Sequence, residues 1–169
     1  MATRPDKLYP DQLYKDDFYA WTRDQAAALR RLAEQRWNGP LDLEHLAEEV
    51  EELGSEQQWA VESQLERVIE HLLKLEHSPS PAPRRQWMIS VVDARGEIEH
   101  RITPTIRREV EPALASRYRR ARRKAELALL DHGEKDAAGA LPADCPYVLD
   151  DLIADEWWPV NRHGLRDDD

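Results

Sequence analysis

Three polar residues interrupt apolar helical rows. Glu49 lies three after Leu46 and four before Leu53; His71 lies three after Val68 and four before Leu75. Arg95 lies four after Val91 and three before Ile98. At 3.6 residues per turn, all three point toward or flank a core. A charge taken out of water must be paired or change its ionisation state. The spacing therefore predicts one interior network of Glu49, His71 and Arg95. As a structural cluster, that network fixes helix register. As an acid–base centre, Glu49 and His71 exchange a proton while Arg95 holds an anion, in hydrolase-like chemistry. No nucleophile motif accompanies it.

A metal-assisted version draws on His45, Glu49 and Glu52, which share one helix face at i, i+4 and i+7. Helical bundles bind metals through inward Glu and His, but by paired Glu-x-x-His motifs on two helices. That pairing is absent, so no cofactor is expected. Cys145 is followed by proline and has no histidine close in sequence except His132, so a Cys–His pair cannot be argued.

Charge is segregated. Residues 42–77 carry 11 acidic against two basic side chains, and residues 101–124 carry nine basic against two acidic. The simplest account is that the two segments complement each other. Arg117, Arg119, Arg120, Arg122, Arg123 and Lys124 could instead grip phosphates, with Tyr118 as the only interleaved aromatic. The net charge of −10 across 169 residues disfavours nucleic acid as the partner. Mean hydropathy is −0.78, and no apolar run approaches the ~20 residues needed to span a bilayer. One cysteine excludes an internal disulfide framework. No membrane partner and a cytoplasmic location are expected.

Helices must position these residues. Six glycines and 34% charged residues, with Ala, Leu, Glu and Arg prominent, favour helix over sheet. A first helix is expected from between Asp11 and Asp17 to Trp37, ended by Asn38-Gly39-Pro40. A second runs from Asp42 to about residue 77, keeping its apolar phase across Gly54 with room for a kink there. Ser78-Pro79-Ser80-Pro81-Ala82-Pro83 breaks the chain. A third helix, about Arg84 to Ile102, turns Trp87, Met88, Val91, Val92, Ile98 and Ile102 inward. Thr103-Pro104 starts a fourth region reaching residue 131, split or kinked at Pro112. Residues 131–144 read as a polar loop and Val148–Ala154 as a short helix. Trp157-Trp158-Pro159 packs the tail onto the bundle. The expected fold is all-α, an antiparallel-type bundle of four main helices with a short C-terminal helical tail. A single domain spans 1–159, and 160–169 is disordered.

In order, Asp17-Phe18-Tyr19-Ala20-Trp21-Thr22, Leu41-Asp42-Leu43, Leu46-Ala47-Glu48-Glu49-Val50-Glu51 with Leu53-Gly54, His71-Leu72-Leu73-Lys74, Trp87, Arg95, Cys145-Pro146-Tyr147 and Trp158-Pro159 form a combined pattern. It resembles the bacterial domain-of-unknown-function family 29, over about residues 8–159. The resemblance implies an all-helical fold with no activity, cofactor or substrate attached. It also places Glu48, Glu49, Glu51, His71 and Arg95 on the family's motif positions; Leu75 stands where the family commonly has Trp. The expected function is a cytoplasmic interaction module, bound to a protein partner or to itself. An enzyme using Glu49, His71 and Arg95 and a nucleic-acid accessory using residues 117–124 are the alternatives.

Overall fold

The computed structural model describes residues 10–35 and 37–166. Their regular elements are helices: α1 (Pro10–Asp16), α2 (Phe18–Glu34), α3 (Leu43–His77), α4 (Arg84–Arg101), α5 (Pro104–Asp131), α6 (Lys135–Gly139) and α7 (Leu149–Ile153). The all-α expectation holds. α3 runs unbroken through Gly54, and α5 contains Pro112 without ending there. The expected loop over 131–144 contains α6, held by buried Ala137 and Ala138. The expected first helix is divided at Asp17. The described residues form two compact units, one of residues 10–59 with Ile102–Glu109, the other of Ala60–Arg101 with the rest of the chain from Val110.

In the first unit, Asp17 explains the division. Its Oδ1 accepts from the backbone N–H of Ala20 at 3.0 Å and caps α2. Its Oδ2 accepts from the N–H of Thr105, in the first turn of α5, at 2.9 Å. One buried carboxylate thus satisfies two helix N-termini, where orphan donors and the helix dipole favour an anion. The Tyr19 hydroxyl is buried 2.6 Å from Glu109 Oε2 and 2.8 Å from Gln58 Oε1. Burial first, then Glu109, pushes its pKa up to about 12.

Gly54 sits where α3 lies close against Tyr19 and Thr22 of α2. A Cβ there would overlap Thr22 Oγ1 and lie 3.3 Å from Thr22 Cβ. Thr22 is fully buried, and its hydroxyl donates to Tyr19 O at 2.8 Å. Overpacking costs about 1–3 kcal/mol, whereas removing a mid-helix glycine gains about 1 kcal/mol. Gly54→Ala is expected to lose up to about 2 kcal/mol net in a urea titration. A gain in stability would mean that the two helices can part at no cost.

In the second unit, Val61, Leu65, Val68, Ile69, Leu72 and Leu73 of α3 are buried. Glu62 and Glu66, one turn apart and buried, take the charge of α5: Glu62 pairs with Arg117, and Glu66 with Lys124 at 2.7 Å and Arg120 at 3.9 Å. The acidic and basic segments complement each other here, as their balance suggests.

The expected disorder beyond residue 160 is corrected for 160–166; residues 167–169 lie outside the described residues. Asn161 is buried, and its Nδ2 donates to the carbonyls of Leu75 at 2.7 Å and Ser78 at 3.0 Å. The Arg162 N–H donates to Glu76 O at 2.9 Å, and its guanidinium pairs with Glu76 at 3.0 Å. These bonds, together with Arg84 Nη1 donating to Leu75 O at 2.8 Å, satisfy carbonyls at the C-terminal end of α3 that have no intrahelical donor. That requirement is invisible in a polar tail sequence.

Beneath this segment His77 is 1% exposed, and neither ring nitrogen has a hydrogen-bond partner among the described residues. Burial lowers its pKa; Glu76, 3.7 Å from Nε2, opposes the shift, and Arg162 and His163 add to it. A histidine held neutral contributes stability that is complete above its unfolded pKa of about 6.5 and is lost as pH falls through the lower folded value. His71, also lowered by burial first, titrates in the same sense. Urea titrations should show stability falling between pH 7 and 5, with a shallower fall in His77→Leu. An unchanged slope in that variant would show that His77 protonates freely in the folded chain.

Candidate functional site

The interior network of Glu49, His71 and Arg95 does not form. Glu49 is exposed, because the inward row of α3 in its first half is Leu43, Ala47 and Gly54. That row is small because helices approach closely there, and the more hydrophobic Leu46 and Leu53 are left 40% and 51% exposed. His71 is half-buried, and its Nδ1 lies 3.0 Å from the carbonyl of Arg67 on its own helix. His45, Glu49 and Glu52 are all exposed, and His45 Nδ1 pairs with Asp42 at 2.6 Å. That carboxylate raises the His45 pKa. Among the described residues no three His, Cys, Asp or Glu side chains converge as metal ligands would.

The basic cluster is largely engaged. Arg117, Arg120 and Lys124 face Glu62 and Glu66. Arg122 donates to the carbonyls of Pro142 at 2.8 Å and Leu141 at 3.1 Å. Arg123 pairs with Glu126 at 3.0 Å, and Arg119 is exposed. Cys145 is half-buried with its thiol 3.4 Å from Tyr147 O, and burial pushes its pKa up.

Arg95 is the one member of the expected network that is deeply buried, at 2% exposure. Its partners are backbone carbonyls. Nε donates to Leu152 O at 2.9 Å, Nη1 to Asp155 O at 3.2 Å, and Nη2 to Asp151 O at 3.1 Å and Trp157 O at 2.9 Å. These groups lie at the C-terminal end of α7 and in the turn after it, where carbonyls lack intrahelical donors and a cation suits the dipole. Burial lowers the pKa of the guanidinium and nearby Asp155 opposes the shift. The flat fork of donors makes this possible; an ammonium has no such geometry.

Having gathered the chain after α7, Arg95 also fixes Trp158. The guanidinium carbon lies 4.9 Å from the centre of the Trp158 ring, within cation–π range. Trp158 is thereby held as one wall of a groove of about 310 Å³ along α4, lined otherwise by Arg85, Met88, Ile89, Val92 and Asp93. Sequence periodicity turns Met88 and Val92 inward. The structure corrects this: the buried row is Trp87, Val91, Ala94, Arg95 and Ile98, while Val92 is 55% and Ile89 46% exposed. The apolar residues of α4 are split between two faces, so one row builds the core and the other builds the groove. The signal for it was present as a surplus of apolar residues over what one helix face can bury. Trp158 is the tail anchor that its sequence suggests, and it has this second use.

Comparison with known proteins agrees with the fold and leaves the chemistry open. A family model described as "Domain of unknown function DUF29" matches residues 13–158. The crystal structure of an alpha-helical protein of unknown function from Rhodospirillum rubrum is similar, with a TM-score of 0.72 and 26% identity. The match covers 85% of this chain and 90% of that one. No curated protein matches the chain.

Proposed function

Starting from a chain that belongs to the DUF29 family of domains of unknown function, we propose a helical binding module that docks a protein on the α4 groove and performs no chemistry of its own. On this reading the four main helices pack as an antiparallel-type bundle, and the protein works in the bacterial cytoplasm. No described helix is long and apolar enough to cross a membrane.

The observation that carries the reading is the groove wall. Trp158 is held against Arg95, whose donors are fixed on four carbonyls, beside exposed Ile89 and Val92. A preformed apolar surface ringed by polar groups is what a binding face requires. Clustered exposed apolar residues are unusual on a protein that stays alone. The residues that looked suited to proton transfer bond elsewhere: Arg95 to carbonyls, and His71 to its own helix.

A photo-crosslinking amino acid at Ile89, irradiated in cells, should give a discrete protein adduct. Val92→Glu, at an exposed position, should abolish that adduct while leaving stability within about 0.5 kcal/mol. No adduct, or one indifferent to Val92→Glu, would overturn the reading.

A further inference from the structure

We infer that the occupant of the α4 groove is a second copy of this chain, its α4 laid antiparallel across the first about a two-fold axis at Ile89. The inference rests on the binding-module reading and adds the partner's identity to it.

Charge carries the argument. Arg85, Ile89 and Asp93 occupy one i, i+4, i+8 row of α4, and all three line the groove. Ile89 is the midpoint, with a cation one turn before it and an anion one turn after it. Arg85 and Asp93 are both exposed, about 12 Å apart along the axis at about 1.5 Å per residue. Neither has an ion-pair or hydrogen-bond partner among the described residues.

A two-fold interface presents the same patch on both copies, so the patch must complement itself. An antiparallel α4 pair centred on Ile89 meets that condition. Arg85 of each copy faces Asp93 of the other, the two Ile89 side chains meet at the axis, and Met88 and Val92 fill the row beside them. A parallel pair would set Arg85 against Arg85 and Asp93 against Asp93.

Gly96 supplies a second observation. It lies inside α4, where glycine costs helix stability. No atom of this chain lies within 4 Å of the place its Cβ would take. Packing within the chain therefore does not require glycine there. In the antiparallel pair, position 96 faces position 82 of the other copy, in the exposed Pro81-Ala82 turn just before α4. A missing side chain lets that turn approach.

The test is sedimentation velocity on the full chain and its charge variants. The wild type should dimerise with concentration, more weakly as salt rises. Arg85→Asp and Asp93→Arg should each weaken self-association by about tenfold or more, because two attractions become two repulsions. Arg85→Asp/Asp93→Arg should restore dimerisation to about wild-type strength. Mixing the two single variants should also restore it, as a heterodimer. Each variant changes exposed residues only, and its helical circular dichroism should match the wild type.

Three results overturn the inference. A wild type that stays monomeric while Ile89 still crosslinks to a different protein sinks the second copy and keeps the binding module. Dimerisation indifferent to both single reversals places any self-contact elsewhere. A monomeric wild type with no adduct at Ile89 sinks both readings.

Discussion

Arg95→Ala should cost about 3–5 kcal/mol of folding stability, the range for removing one side of a buried charged cluster. The reason is arithmetic on donors. Four carbonyls, of Asp151, Leu152, Asp155 and Trp157, take their hydrogen bonds from one guanidinium. Truncation strips them at once and leaves a cavity beside Trp158. Arg95→Lys is the sharper test, since it keeps the charge. Three donors on one nitrogen cannot reach four carbonyls spread over seven residues, so the lysine variant should lose about 2–4 kcal/mol. Urea titration gives the total, and hydrogen exchange gives the place. Protection should fall first across residues 149–158, and the groove should lose its Trp158 wall. A lysine variant with wild-type stability and exchange would mean that the carbonyls find other donors.

The second large effect is expected at Asp17. An ordinary N-cap carboxylate uses one oxygen, so asparagine replaces it at little cost. Asp17 uses both, Oδ1 for Ala20 and Oδ2 for Thr105. Asn must present an amide N–H₂ to one of these donors. Asp17→Asn should therefore cost about 1–3 kcal/mol, and Asp17→Ala about 2–4 kcal/mol as both caps are lost. The pH dependence provides a signature. Burial alone would raise the Asp17 pKa, but bonds from Ala20, Thr105 and Thr103 outweigh it, and the net shift is downward. A depressed folded pKa means stability present above the unfolded value, near 3.9, and lost as pH falls through the folded one. The gap between wild type and Asp17→Ala should thus be constant near neutrality and narrow below about pH 4. Equal stability of Asp17→Asn and wild type at pH 7 would show that one of the two bonds is dispensable.

Much of the helical framework was legible because breakers and caps are local. The proline run over 78–83 and Thr103-Pro104 set the ends of α3, α4 and α5 close to where they fall. Asp17 lies within the stretch where the first helix is expected to begin; its bond to Thr105 is not legible in the sequence, because the donor is a backbone N–H 88 residues away. Arg95 was recognisable as a polar residue on a core row, but its partners are carbonyls, which every residue has. Glu49 was misplaced for a different reason. Hydrophobicity points α3 toward Leu46 and Leu53, while close helix approach selects Ala47 and Gly54. The groove is not legible in the sequence because Met88 and Val92 look like core residues to any measure that counts apolar side chains.

The bond from Asn161 to Leu75 has a consequence during synthesis. Donor and acceptor are 86 residues apart, so α3 leaves the ribosome long before its end can be closed. At about 5–20 residues per second the nascent chain waits about 4–17 s. During that interval the Glu76 carbonyl, which later accepts from Arg162 N–H, and His77 face water or a chaperone. The second unit therefore acquires its final stability only after Asn161 has been made.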